Sequence, residues 1–203
     1  MTKNLSETTR SPEERLDEMV TLLQQHGVPV ESWNGTGGTK TPEDLFHELE
    51  EGETTLEIVE GKVLRTVNVV AVDITHTDSD GTVWKLREAR QVSKKDGSVK
   101  TRPDLRGAVA EKMKATENPQ EAALRGATEE LGIESGLTVA NSELVTELKP
   151  TKTYPGLDTQ YNIHVVHAEM GADAFRPNNE DGYAYKEEQA SKTTYFVWDE
   201  VKS

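Results

Sequence analysis

Apolar residues near the start of the chain recur at intervals of three and four. Leu16, Met19, Val20, Leu22 and Leu23 fall on one stripe of a helix. Ser11-Pro12-Glu13-Glu14 supplies its start, with serine as cap and proline at the first helical position, and Gly27 supplies its end. A second short helix opens at Thr41-Pro42-Glu43-Asp44, with Leu45, Phe46 and Leu49 as its apolar side. From Thr66 the pattern changes. The run Thr66 to Thr77 (TVNVVAVDITHT) is rich in β-branched residues and reads as a strand, followed by a turn at Asp78-Ser79-Asp80-Gly81. Val83 to Val92 gives a second strand, ended by the turn Lys95-Asp96-Gly97-Ser98. Short strands are predicted at 137–139 and 143–148, a longer one at 161–170, and another at 195–198. Residues 171–192 read as a polar, acid-rich loop, and Trp198 to Val201 as the opening of a terminal helix. The chain thus divides into a disordered tail at 1–12, a helical extension at 13–63 and an α/β domain at 64–203.

Between the strands lies the segment Glu117 to Ile133 (ENPQEAALRGATEELGI). Asn118 suits a helix N-cap, Pro119 the first helical position, and Glu121 the acid of a capping box. Gly132 comes where the helix should stop. At about 100° per residue, Leu124, Ala127 and Leu131 share one side, the expected core face. Ala122, Ala123, Gly126, Glu129 and Glu130 cluster on the other. Two carboxylates beside a cleared patch of helix suit Mg2+, a hard cation that keeps several waters and shares a substrate's phosphate oxygens. An amphipathic helix with solvated glutamates would carry some of the same residues. Gly126 needs a reason, because a mid-helix glycine is about 0.5–1 kcal/mol worse than alanine. Either a ligand or metal approaches the backbone there, or the helix packs tightly on a neighbour.

Composition narrows the chemistry. At 203 residues, without cysteine, the chain excludes disulfides and thiolate metal sites. It has neither a membrane-length apolar run nor a signal-peptide core at MTKNLSETTRSPEE, so a soluble cytoplasmic protein is expected. The net charge of −14 argues against nucleic acid as a partner. That charge is uneven. Residues 1–60 carry four basic and fourteen acidic side chains, whereas 85–114 carry ten basic and four acidic. The basic stretch, with Arg87 and Lys112 in it, leads into the helix where a phosphorylated substrate would need it, although a solvated hairpin would look the same. The loop Trp33 to Thr41 is glycine-rich, but it lacks a glycine directly before Lys40 and a strand ahead of it, which excludes a phosphate-binding loop. His164 and His167 point to opposite faces of a strand and make no joint metal site.

The spacing of Glu117, Arg125, Glu129, Glu130, Gly132 and Ile133 resembles the Nudix box, E-x7-R-E-U-x-E-E-x-G-U with U a bulky aliphatic residue. Two positions depart from the pattern: Glu111 stands where a leading glycine is usual, and Gly126 where a glutamate should follow the arginine. The resemblance covers roughly 64–201. It implies a Nudix-type α/β/α sandwich around a mixed sheet, and a hydrolase that cleaves the diphosphate of a nucleoside diphosphate derivative with Mg2+ (or Mn2+). It also implies that Glu129 and Glu130 bind metal and that Arg125 pairs with Glu117 to fix the loop. A further acid from a late loop would act as metal ligand or general base; Glu187 and Glu188 are the best placed, with Glu180 and Asp181 behind them. Glu111 is a candidate replacement metal ligand.

Outside the box, Tyr154 and Tyr161 could stack on a base and Gln160 could read its edge, although aromatics at a strand entrance commonly pack. With one glutamate missing, the alternative to hydrolysis is a nucleotide-binding sensor or protein-interaction module. Some relatives act on isoprenoid diphosphates, but the absence of cysteine counts against the cysteine-dependent isomerase branch. A homodimer is compatible with the sequence.

Overall fold

The computed structural model describes residues 10–103 and 105–202, so the proposed tail at 1–12 falls largely outside the described residues. The chain divides into two compact units, one of Met1–Val67 with Glu147–Tyr161 and one of Asn68–Thr146 with Asn162–Ser203.

The first unit opens with α1 (Pro12–Gln25) and α2 (Pro42–Glu50). Both begin in a capping box: Ser11 with Glu14, and Thr41 with Asp44, exchange side-chain and backbone hydrogen bonds that satisfy otherwise orphaned N–H groups. A hairpin then forms from β1 (Thr54–Val59) and the start of β2 (Lys62–Thr77), with Thr54 opposite Val67. The sequence reading placed only helices before residue 64, so β1 is a correction. Glu57, Ile58 and Val59 are all exposed, on both of its faces, which blurs the alternation. Met19, Leu23, Trp33, Leu45, Val63, Tyr154 and Leu157 form this unit's core. Glu48 is buried there and compensated: Arg65 and Lys40 each lie 2.6 Å from it, and the Tyr154 hydroxyl donates to it at 3.2 Å.

The second unit is built on the rest of β2, with β3 (Val83–Ser93), β4 (Val99–Lys100), β5 (Val109–Lys112), most of β6 (Leu137–Pro150) and of β7 (Asp158–Met170), β8 (Tyr185–Glu188) and β9 (Lys192–Glu200). The sheet order is β6-β7-β2-β3-β9-β8, with β5 paired to β2 and β4 to β3. Strand β3 runs antiparallel to β2 and β9. By contrast, the contacts Asn68–Asn162, Thr75–Ala168 and His76–Met170 advance together along β2 and β7, so those two strands are parallel and the sheet is mixed. Helix α3 (Pro119–Leu131) packs on β5 and touches β8, over a core that includes Val70, Val72, Ile74, Val109, Ala122, Ala123, Val166 and Phe196.

Three sequence expectations change here. The two short strands at 137–139 and 143–148 are one strand, β6. The loop at 171–192 contains β8. Trp198 and its neighbours continue β9 to Glu200 instead of starting a helix, because Trp84 to Ser93 supplies partners along its length. Among the described residues no helix is long and apolar enough to cross a membrane.

Candidate functional site

Helix α3 starts at the Asn118–Glu121 capping box and stops at Gly132, whose φ of 68° is left-handed and comfortable for glycine. Its buried residues are Ala122, Ala123, Gly126, Ala127 and Leu131, while Leu124 is exposed. The core face is therefore rotated from the predicted one: the small residues, and not Leu124, meet the sheet. The reason is the neighbour. A Cβ built on Gly126 would lie 2.9 Å from Val109 Cγ1 and 3.3 Å from Glu111 Cγ, so only glycine lets α3 sit this close to β5. Tight packing accounts for the glycine.

Arg125 organises the segment leading into the helix. Its Nε donates to Glu117 at 2.6 Å and one Nη to the same carboxylate at 3.0 Å, a two-point grip. The same Nη donates to the Lys112 carbonyl at 2.8 Å, and the other Nη to Glu129 at 3.0 Å. Glu117 also accepts from the Lys114 N–H, and its carboxyl is held below the usual range, chiefly by Arg125. This is the pair that the resemblance implies.

Glu130, one turn beyond Gly126, is half-buried. Burial, then the charges of Glu187 and Glu111, push its carboxyl up to about 8, while Arg102 and Lys192 pull the other way. The Glu111 carboxyl is itself raised, first by burial; Arg125 opposes that shift, and Glu129 and Glu187 add to it. Four glutamates from α3, β5 and β8 thus act on one another. Among the described residues no three His, Asp or Glu side chains converge into a ready-made metal cage. Mg2+ does not need one, since it is commonly held by one or two carboxylates with waters and substrate phosphates. Oxygen donors from Glu129 and Glu130, with Glu111 and Glu187 within electrostatic reach, are the chemistry such a cation takes.

Two candidates drawn from adjacent positions behave differently. Glu187 reaches the carboxylate group, whereas Glu188, on the other side of β8, is exposed and bound by Lys94 at 2.8 Å, by Thr193 at 2.9 Å and by Lys186. Those partners, Lys186 foremost, hold Glu188 down at about 2, which makes it a poor proton acceptor and corrects its candidacy. Glu180 and Asp181 are exposed loop residues. Tyr154 is also corrected: fully buried, with its ring 5.0 Å from that of Trp33, it is a packing residue of the first unit. Gln160 and Tyr161 lie on β7 in the first unit, where Lys149 sits over the Tyr161 ring at 4.9 Å.

An arginine within electrostatic reach of these acids was not foreseen. Arg102 donates from Nε to Glu88 at 3.0 Å and from an Nη to the same carboxylate, and Gln91 braces Glu88 at 3.2 Å. Glu88 is buried, and the charges of Glu130 and Glu187 also reach Arg102. Together with Arg87, which is ion-paired to Asp199, Arg102 lines a cleft of about 300 Å³. The only sequence signal was the cationic stretch 85–114, which does not say which cation a buried acid will hold.

The NUDIX domain model matches residues 66–201. No curated protein matches the chain. Among solved structures, the Ap4A hydrolase of C. elegans is 15% identical, covering 66% of this chain and 80% of that one with a TM-score of 0.36. A binary complex of a C. elegans Ap4A hydrolase is 18% identical over 66% of this chain and 79% of that one, with a TM-score of 0.35. The Nudix hydrolase RenU of M. smegmatis is 15% identical over 66% and 70%, with a TM-score of 0.33. Likeness at that level says nothing about substrate.

Proposed function

The chain belongs to the Nudix family, and on that premise we propose that it hydrolyses the diphosphate of a nucleoside diphosphate derivative with Mg2+ or Mn2+ as cofactor. What chiefly supports this reading is the mutual electrostatic influence of Glu111, Glu129, Glu130 and Glu187 beside the Glu117–Arg125 pair. Glu129 and Glu130 would hold the cation, which when bound would neutralise phosphate charge and lower the pKa of an attacking water. Glu187 is the base. As the water oxygen bonds to phosphorus, its proton passes to Glu187. The bridging P–O bond breaks, and its electron pair leaves with the departing phosphate. Arg125 and Glu117 hold the segment before α3 in place. Arg102 and Arg87 offer the phosphates a cationic wall beside the acids.

The test is product release from a panel of nucleoside diphosphate derivatives with Mg2+ and with Mn2+, beside Glu130→Gln. Metal-dependent turnover that disappears in the variant supports the reading; turnover unchanged in the variant refutes it. A second reading, a domain that binds nucleotides without cleaving them, is favoured by Gly126, where the box has lost a carboxylate. It predicts no turnover, with a melting temperature still raised by the ligand.

A further inference from the structure

Arg90 is a half-buried arginine without an acid. Arg15, Arg65, Arg87, Arg102 and Arg125 each pair with a carboxylate. Among the described residues none pairs with Arg90, although the chain's 37 acids outnumber its 23 lysines and arginines, and its buried Nε has no hydrogen-bond partner. Its guanidinium carbon lies 5.2 Å from the centre of the Tyr183 ring and 5.0 Å from that of Tyr195, and the two rings are 4.8 Å apart. The rings stabilise the cation through their π faces but leave its in-plane fork of N–H groups without an oxygen to bind.

The sheet shows how Arg90 comes to stand there. Phe196 is buried in the core beneath α3, so Tyr195, its neighbour on β9, points to the opposite side of the sheet. Arg90 on β3 and Lys186 on β8 are the cross-strand partners of Tyr195, and the three make one row on that side. The pairing of β3 with β9 shifts register between Glu88 and Arg90. Plain alternation would put these two residues on the same side. The bulge instead leaves Glu88 beside Gln91 on the α3 side, where they bond, and turns Arg90 outward. With Tyr183, Asn179 and Lys186, Arg90 and Tyr195 line a cavity of about 430 Å³. Asn179 Oδ1 already accepts from the N–H groups of Asp181 and Tyr183, which leaves its amide nitrogen as a donor. Lys186 is ion-paired to Glu188, and Asp181, the acid of the lining, is exposed.

We propose that this cavity binds the phosphate group of a small phosphorylated molecule, at a site on the sheet face opposite α3 and separate from the glutamates. The fork of Arg90 takes two phosphate oxygens, and the hydroxyls of Tyr183 and Tyr195 and the amide of Asn179 supply donors for the third. A carboxylate has two oxygens and would use the fork alone. The volume is that of a small-molecule site. None of this depends on the hydrolase reading.

The experiment titrates the full chain with inorganic phosphate, phenyl phosphate and acetate, with a chelator present to keep divalent cations away from the glutamates. Phosphorus NMR line widths give the affinity, the side-chain N–H signals of the arginines give the place, competition by acetate gives the class, and thermal melts verify folding. Arg90→Gln is expected to weaken binding of both phosphates by about 10-fold or more, and Arg90→Lys, which keeps the charge but not the fork, by most of that. Tyr183→Phe combined with Tyr195→Phe keeps both rings, removes both hydroxyls and should weaken binding by about 5-fold. Arg102→Gln should bind as the parent does. No binding by the parent, or equal binding by a folded Arg90→Gln, refutes the site. Binding lost in Arg102→Gln and kept in Arg90→Gln places the phosphate beside the glutamates and refutes it equally. Acetate bound as tightly as phosphate overturns the ligand class. Should Arg90→Gln not fold, unchanged binding in the double tyrosine variant refutes the site in its place.

Discussion

Gly126→Ala is the sharpest probe of how α3 meets the sheet. In an open helix the change would stabilise by about 0.5–1 kcal/mol through backbone entropy. Here the new methyl would stand 2.9 Å from Val109 Cγ1 and 3.3 Å from Glu111 Cγ. Glu111 is only partly enclosed and can swing aside. Val109 cannot, because it is fully buried and its β-branched side chain has little rotamer freedom. Overpacking of this kind costs about 1–3 kcal/mol. The difference leaves a net destabilisation of up to about 2.5 kcal/mol, which for a chain of this size lowers the melting temperature by up to about 10 °C. Denaturant unfolding of parent and variant, beside thermal melts, measures it. Val109→Ala removes the methyl that is struck. The double variant should therefore be more stable than the sum of the two single losses implies, with a coupling of about 0.5–3 kcal/mol. If Gly126→Ala instead gains the full helix-propensity benefit, or the two changes simply add, then the glycine is not there for close packing and the argument from β5 fails.

Arg125→Lys keeps the charge but loses the two-point grip on Glu117 and the bond to the Lys112 carbonyl; it should lower stability by about 1–3 kcal/mol, and an unchanged melting curve would contradict that role. Because Arg125 depresses the Glu117 carboxyl, the stability from this pair is fully present above the ordinary carboxylate range and is lost as pH falls through the depressed value. Glu117→Gln should accordingly show a shallower acid limb in melting temperature against pH, and an identical limb would count against it. Glu187→Gln should cut turnover by about 100-fold or more while Glu188→Gln leaves it intact; equal effects would show that the choice of base is wrong. Tyr154→Phe should leave ligand affinity unchanged but cost about 0.5–1.5 kcal/mol through the hydroxyl lost from Glu48, and weakened ligand binding without loss of stability would restore its stacking role.

What could be read from the sequence is what neighbouring residues decide among themselves. The capping boxes at Ser11, Thr41 and Asn118, the stop at Gly132 and the Glu117–Arg125 pair all act within about two turns of one helix. The long alternating runs of β2 and β3 were legible because their buried positions repeat. The segments missed or misplaced lack such a local signal. Strands β5 and β8 have four residues each and exist because β2 and β9 offer them partners. Leu124 looked like a core residue only because nothing in the helix says that a strand will come close enough to prefer the alanine and glycine side. The charge stretch 85–114 marked a cationic region, but burial of Glu88 chose Arg102 from it. Sequence alone thus determined the helix that carries Glu129 and Glu130 and the arginine that ties its approach. Only the tertiary structure decided that Gly126 is a point of contact with Val109 and Glu111, and that Glu188 is bound by Lys94, Lys186 and Thr193. Each of those facts depends on segments far apart in the chain meeting at atomic distance, a property the pattern of one segment does not contain.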